Sequence, residues 1–257
     1  MKYLPEPSPV VSYSIAAMEQ VTDALRVLEV AQLGAQLMMI EDLAPNIEGL
    51  LRTSEMFGEM ASDHPNDRAP GYAEDAKFLV QGKFQGFRRN AVVSGFSALE
   101  NYLKCILVDH LKAGDYGGLK VLEARVSLPI VDAIEFDGDS RLFVVADVLW
   151  QETKGRSLFE RIISFLKAYC RPEIWGYANK QSKGRVRNVL DEGYAIRNSI
   201  VHHGGRATTD LNKRLGLKKG AAVVLGELQT YRYLAVISRV VSSIDAQNPF
   251  GETKLLL

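Results

Sequence analysis

Cysteine is scarce in this chain, which has only Cys105 and Cys170 among its 257 residues and no CxxC pair or zinc-type spacing. Two separate cysteines in apolar helical patterns predict reduced core thiols, and they argue against a disulfide framework or a structural zinc site. The opening MKYLPEPSPVVSYS has prolines and a glutamate where a secretion signal would have its apolar segment. No uncharged apolar run approaches the roughly 18 residues that a membrane helix needs. These features predict a cytoplasmic protein that does not cross a membrane.

An excess of charge of one sign is also missing, because 31 basic residues balance 31 acidic ones. The charges are nevertheless separated along the chain. Residues 1–80 carry 13 acidic and 5 basic side chains, whereas residues 152–219 carry 15 basic and 6 acidic ones. This separation predicts one surface that favours a polyanion. The alternative is that the acidic segment packs against the basic one, so that the two charges largely cancel.

Apolar residues recur at three- and four-residue steps through most of the chain, which predicts an all-α fold. Helices are expected from Ser12 to about Leu43 and from Asn46 to Met60. The segment SDHPNDRAPG at 62–71 has the composition of a loop and marks a domain boundary. The predicted organisation is an acidic helical extension over 1–80, a main helical domain over 81–247 and a tail over 248–257.

The clearest helix of the main domain lies at 87–113, because its apolar residues form one stripe at steps of four and three: Val92, Phe96, Leu99, Leu103, Ile106 and His110. Further helices are predicted over 157–170, from about Arg185 to His203 and over 227–246. The segment ANKQSKGR at 178–185 is expected to be a basic loop. Residues 114–155 combine β-branched runs with a DGD turn, so either two short strands near 120–150 or a buried helix would fit.

The segment EGYAIRNSIVHHGGR at 192–206 ends a helical pattern with chemically active side chains. Asn198 and His202 are four residues apart and therefore neighbours on one helix face, where the amide can orient the imidazole. Arg197 lies on a half-apolar flank, where its guanidinium needs an anion. Two glycines after His203 let the backbone turn sharply and leave the histidines at an accessible helix end.

An arginine beside an imidazole that moves protons near neutral pH suits attack on a phosphodiester. In RNA the 2′-hydroxyl is already the nucleophile, so the protein needs only to move protons and to stabilise the charge on the phosphorane. This chemistry does not require a metal ion. The sequence also lacks an acidic metal-binding cluster, and adjacent histidines point about 100° apart on a helix, which disfavours joint metal ligation.

The segment RNSIVH resembles the R-x4–6-H signature of the HEPN superfamily. These are small helical domains, many of them metal-independent endoribonucleases of toxin–antitoxin, abortive-infection and CRISPR-type defence systems. The segment GFSALENYLKCIL is similar to the first core helix of that family, which often carries an alE-yL pattern. The resemblance covers residues 84–245. Residues 1–80 lie outside it, and the segment 114–155 is longer than a minimal domain of this family needs.

The resemblance implies specific roles for several residues. Arg197 and His202 match the catalytic pair, Asn198 matches the polar residue after the arginine, and Glu100 matches the acidic residue that supports the site from the neighbouring helix. His203 also fits the spacing and is expected to contact the substrate. Further predicted contacts to RNA from the basic stretch are Arg185, Arg187 and Arg206. The resemblance also implies no cofactor, a homodimer in which both motifs line one cleft, and an antitoxin or defence-system partner protein.

Three alternatives remain open at this point. Arg197 could close a structural ion pair with Glu100 or Asp191, a role that can coexist with catalysis. His202 could satisfy the carbonyls at the helix end. The whole domain could instead be a non-catalytic dimerisation and nucleotide-binding module, which regulates or docks a partner through its acidic extension.

Overall fold

The computed structural model describes residues 9–38, 76–113, 138–152, 157–169 and 180–245. Within these residues the fold is all-α, as predicted. Residues 76–81 are helical, and a single isolated antiparallel bridge joins Arg206 to Ala222. The other helices are α1 (Pro9–Met38), α2 (Gln85–Lys112), α3 (Gly138–Glu152), α4 (Leu158–Tyr169), α5 (Lys180–His203), α6 (Thr209–Leu215) and α7 (Glu227–Asp245).

The chain divides into two compact units, and the division falls within α1 and within α2. One unit comprises Asp23–Ala91, and the other comprises Met1–Thr22 with Val92–Leu257. The smaller unit has its own apolar core, formed by Leu28, Ala35, Ala76 and Phe84 with Leu79, Val80 and Phe87 packed against them. The predicted loop at 62–71 and the predicted helix at 46–60 lie outside the described residues.

The larger unit is built on close packing of α2, α5 and α7. Every residue of the predicted α2 stripe is buried, as expected for a helix with one apolar face. Two glycines allow the close approach. A Cβ atom on Gly95 of α2 would overlap Leu234 of α7, and one on Gly193 of α5 would lie 2.5 Å from Cζ of Phe96. The ring of Phe96 consequently packs between Tyr194 and Tyr233, with ring centroids 6.1 and 6.4 Å away.

Two sequence predictions differ from the structure, and one helix of the structure was not predicted. Residues 138–152 form a helix, because Ala146, Leu149 and Trp150 fall at helical spacing and are buried. Of the two alternatives for 114–155, the buried helix is therefore confirmed over 138–152 and strand formation is wrong there, whereas residues 114–137 and 153–155 lie outside the described residues. Helix α5 begins at Lys180, so the predicted loop at 178–185 is helical from that residue on. The short helix α6 was not predicted, and the tail at 248–257 also lies outside the described residues.

Helix α2 passes a length and composition test for a membrane span, and it is the only helix in the described part of the chain to do so. In the structure 61% of that apolar stretch is buried inside the protein. The core helix of a soluble protein passes the same test, so this finding is weak evidence for a membrane span.

Candidate functional site

Helix α5 ends at the two histidines, as the sequence predicts. Gly204 and Gly205 follow with φ angles of 58° and 73°, a left-handed conformation that favours glycine. The N–H of Gly205 donates to the carbonyl of Ser199 at 3.0 Å, which closes the helix end. His202 and His203 are both exposed there. The imidazoles are therefore accessible to a ligand from solvent.

The segment after the histidines folds back on itself. We call residues 204–226, which include the short helix α6, the post-helix loop. The N–H of Val223 donates to the carbonyl of Gly205 at 2.8 Å, and the guanidinium of Arg206 donates to the carbonyl of Gly220 at 3.2 Å. These bonds bring the exposed residues Lys218 and Lys219 back towards the end of α5. The post-helix loop thereby forms a basic surface, on which Asp210 is the one acidic residue and binds Arg214 at 2.9 Å.

Arg197 is held inside the larger unit by a carboxylate from α2. Its guanidinium donates to Oε2 of Glu100 at 3.1 Å, and the two side chains are 18% and 12% exposed. A second guanidinium nitrogen donates to the amide oxygen of Asn198 at 3.0 Å, and Nε is buried without a partner in the described part of the protein. Of the two carboxylates considered from the sequence, Glu100 is therefore the partner. Asp191 instead accepts the N–H of Phe159 at 3.0 Å.

Glu100 also binds two aromatic side chains. Its Oε1 accepts from the hydroxyl of Tyr194 at 2.8 Å and from the indole N–H of Trp150 at 3.1 Å. Burial and the adjacent negative charge and hydrogen bond of Glu100 raise the pKa of Tyr194, although the nearby arginines oppose this shift. The Tyr194 hydroxyl is therefore a fixed donor at neutral pH. The same bonds fix the carboxylate that orients Arg197.

A second arginine, Arg161 of α4, completes the group. Its guanidinium carbon lies 5.3 Å from the ring centroid of Trp150 and 5.6 Å from that of Tyr194. The guanidinium carbon of Arg197 lies 5.8 Å from the same Tyr194 centroid. We call these five side chains the arginine cluster: Glu100, Trp150, Arg161, Tyr194 and Arg197.

Trp150 and Arg161 were not predicted as site residues from the sequence. A signal for Arg161 was present, because Leu158, Arg161 and Ile162 occupy one face of α4 by helical spacing. An arginine on an apolar helix face is buried with that face, and Arg161 is 9% exposed. Nothing comparable in the sequence marked Trp150 as a partner of Glu100.

The structure brings Glu100, Arg197 and Asn198 together, but it does not join them to the histidines. In the described part of the chain no hydrogen bond links Asn198 to His202, since the amide oxygen accepts from Arg197. Orientation of His202 by Asn198 therefore stays a prediction. Arg197 and His202 lie five residues apart on α5, a separation of about 7.5 Å along the helix axis.

The predicted RNA contacts Arg185, Arg187 and Arg206 lie at exposed positions. Arg185 is on the first half of α5. Arg187 is engaged with two carboxylates, at 2.7 Å from Glu160 and 3.7 Å from Asp191. Arg187 therefore has a structural role in joining α4 to α5, and its contact with RNA stays a prediction.

No group of three or more histidine, cysteine, aspartate or glutamate side chains among the described residues could hold a metal ion. Comparison of the chain with protein-family models, with curated proteins and with solved structures finds no match.

Proposed function

We propose that the chain is an endoribonuclease of the HEPN type that cleaves RNA without a metal ion. The observation that carries the proposal is the arrangement at α5. Glu100 and Asn198 hold the guanidinium of Arg197 in place, and the same helix ends in the exposed residues His202 and His203. A toxin or anti-phage defence role is the biological setting that the family resemblance suggests.

The burial of the side chains supports this proposal. Two partners hold the guanidinium of Arg197 in one orientation, and the side chain is 18% exposed, so it is not completely sealed from solvent. Preorganised donors of this kind stabilise charge that develops on a phosphorane. The exposed basic residues Arg206, Lys218 and Lys219 of the post-helix loop provide the phosphate contacts that single-stranded RNA requires.

The proposed reaction moves one proton and exchanges one P–O bond. The imidazole of His202 accepts the proton of the ribose 2′-hydroxyl, whose oxygen attacks the adjacent phosphorus. The bond from phosphorus to the 5′-oxygen breaks, and the protonated imidazole of His202 gives its proton to the 5′-oxygen as that oxygen leaves. Arg197 stabilises the negative charge on the phosphorane, and His203 contacts the substrate. The products are a 2′,3′-cyclic phosphate and a 5′-hydroxyl end.

The test is incubation of the protein with 5′-labelled single-stranded RNA in the presence of EDTA. We expect cleavage to 2′,3′-cyclic-phosphate ends, which acid treatment and phosphatase identify. The His202→Ala variant should lose about 10²–10⁴-fold in rate, the usual contribution of a positioned acid or base. His203→Ala is the matched control at the adjacent exposed position, and its loss should be smaller.

Three further observations decide whether the proposed chemistry is correct. RNA with a single 2′-O-methyl group at the cleaved nucleotide should resist cleavage there, because the nucleophile is blocked. Equal rates for the wild-type protein and the His202→Ala variant would remove His202 from the mechanism. Dependence of cleavage on added Mg²⁺ would contradict the metal-independent reaction.

One observation favours the alternative, a non-catalytic dimerisation and nucleotide-binding module. Both terminal nitrogens of Arg197 already bind protein groups, as they would in a purely structural ion pair. This alternative predicts that the wild-type protein binds nucleotides or RNA without cleaving them. The cleavage assay therefore separates the two functions directly. The homodimer belongs to both proposals and is measured by light scattering.

A further inference from the structure

Arg161 is a buried arginine for which the described residues supply no anion. Its guanidinium contacts the faces of Trp150 and Tyr194, and its Nε is buried without a hydrogen-bond partner. In the described part of the protein no carboxylate forms an ion pair with it. The free energy gained from cation–π contacts is smaller than the free energy needed to remove a charge from water. The contacts with the two rings therefore do not fully offset the desolvation of this guanidinium.

The one carboxylate of the arginine cluster, that of Glu100, already accepts hydrogen bonds at both of its oxygens. Oε1 of Glu100 accepts from Trp150 and Tyr194, and Oε2 accepts from Arg197. The arginine cluster therefore contains two guanidinium groups and one carboxylate, so the net charge of the cluster is positive.

The acidic side chains beside α4 are also occupied. Glu160 binds Arg187 at 2.7 Å and accepts the backbone N–H of Ser157, the residue before α4, at 3.4 Å. Asp191 accepts a backbone N–H of the first turn of α4 at 3.0 Å and lies 3.7 Å from Arg187. These bonds fix the start of α4, so they hold Arg161 in position without neutralising it.

The guanidinium has the chemistry of a phosphate contact. Its planar donors match the oxygens of a phosphate group, and the flanking rings hold the plane in one orientation. Arg161 is 9% exposed, so the residue is not completely sealed from solvent. Its guanidinium and that of Arg197 lie at similar distances from the same Tyr194 ring.

We propose that Arg161 is a second phosphate-binding arginine, which holds a backbone phosphate of the RNA beside Arg197. This inference rests on the proposed function for the identity of the ligand. The anion site itself rests only on the unpaired guanidinium. Arg161 is a substrate-positioning residue in this proposal, and the proton transfer remains with His202.

The test measures RNA binding separately from cleavage, in the His202→Ala background with single-stranded RNA as the ligand. The added substitution Arg161→Met keeps a long side chain but removes the charge and the donors. We expect about tenfold weaker binding, as for the loss of a charge-assisted contact. The slope of log K against log salt should fall by about 0.7, the value for one phosphate contact to a single strand. The control is Arg141→Met on the exposed part of α3, which should leave both quantities unchanged.

The thermal midpoint provides a readout that distinguishes a ligand contact from a structural one. Replacement of an unpaired buried charge by an apolar side chain of similar size is neutral or stabilising, so Arg161→Met should melt at the same or a higher temperature. Unchanged RNA binding would overturn the proposal, because Arg161 would then not contact the ligand. Failure of the variant to fold would also overturn it, because Arg161 would then be structural.

A second arm separates failure of this inference from failure of the proposed function. If the wild-type protein binds no RNA, the proposed function is wrong, and inorganic phosphate and a nucleoside monophosphate are used as probes instead. A rise in the thermal midpoint with either probe in the wild-type protein, absent in Arg161→Met, would support an anion site without an RNA role. Equal responses of the two proteins would overturn the site as well.

Discussion

Replacement of Glu100 by glutamine removes one negative charge from the arginine cluster while it keeps the size of the side chain. The amide oxygen of the glutamine can still accept from Trp150 and Tyr194, as Oε1 does now. The amide nitrogen would then face the guanidinium of Arg197, where Oε2 accepts at 3.1 Å. Two donors cannot bond to each other, so the substitution breaks the ion pair specifically.

The expected loss follows from the burial of the pair. Removal of one partner from a fully buried pair costs about 3–5 kcal/mol, and a hydrogen bond to a charged group contributes about 1.5–3 kcal/mol. Arg197 is 18% and Glu100 12% exposed, so water can partly solvate the abandoned guanidinium. We therefore expect the lower range, a decrease of about 2–3 kcal/mol in the free energy of unfolding. At about 2–4 °C per kcal/mol, the thermal midpoint should fall by about 4–12 °C.

Urea denaturation and calorimetry measure this loss, and a double-mutant cycle assigns it. In an Arg197→Met background the ion pair is already gone, so Glu100→Gln should then cost less than about 1 kcal/mol. Glu160→Gln is the control, because the exposed pair of Glu160 with Arg187 is worth about 0–1 kcal/mol. A loss below about 0.5 kcal/mol for Glu100→Gln, or additive losses in the cycle, would refute the ion pair as the force that positions Arg197.

Two further predictions concern packing and thiol chemistry. Gly193→Ala should destabilise the protein, because the overpacking against Phe96, about 1–3 kcal/mol, exceeds the gain of about 1 kcal/mol in helix propensity. Gly184→Ala on the same helix meets no atom within 4 Å and should stabilise the protein, so equal signs for the two variants in urea denaturation would contradict the close packing. Burial raises the pKa of Cys105 to about 11. The protonated thiol therefore contributes to the free energy of unfolding below the ordinary thiol pKa, and this contribution is lost as the pH rises through 11. In a Cys170→Ser variant, alkylation of Cys105 at pH 8 should be about a hundredfold slower than that of a free thiol, and a rate near that of free cysteine would show that the thiol is not buried.

Local periodicity was sufficient to predict the all-α fold and the position of its central elements. The buried stripe of α2 and the end of α5 before Gly204 were predictable because both depend on neighbours within one or two helical turns. The motif itself, from Arg197 to His203, could also be located in this way. Its placement at an exposed helix end follows from the two glycines, without any tertiary contact.

The partners of those side chains were decided only by the tertiary structure. Glu100 and Arg197 are 97 residues apart, and their bond depends on how closely α2 and α5 approach at Gly193. Asp191 was an equal candidate from the sequence, but packing of α4 against α5 commits it to the backbone of Phe159. The same packing brings Arg161 against the rings of the arginine cluster. Helix periodicity determines which face of a helix each residue occupies. Only the packing of the helices against one another determines which charged side chains find a partner.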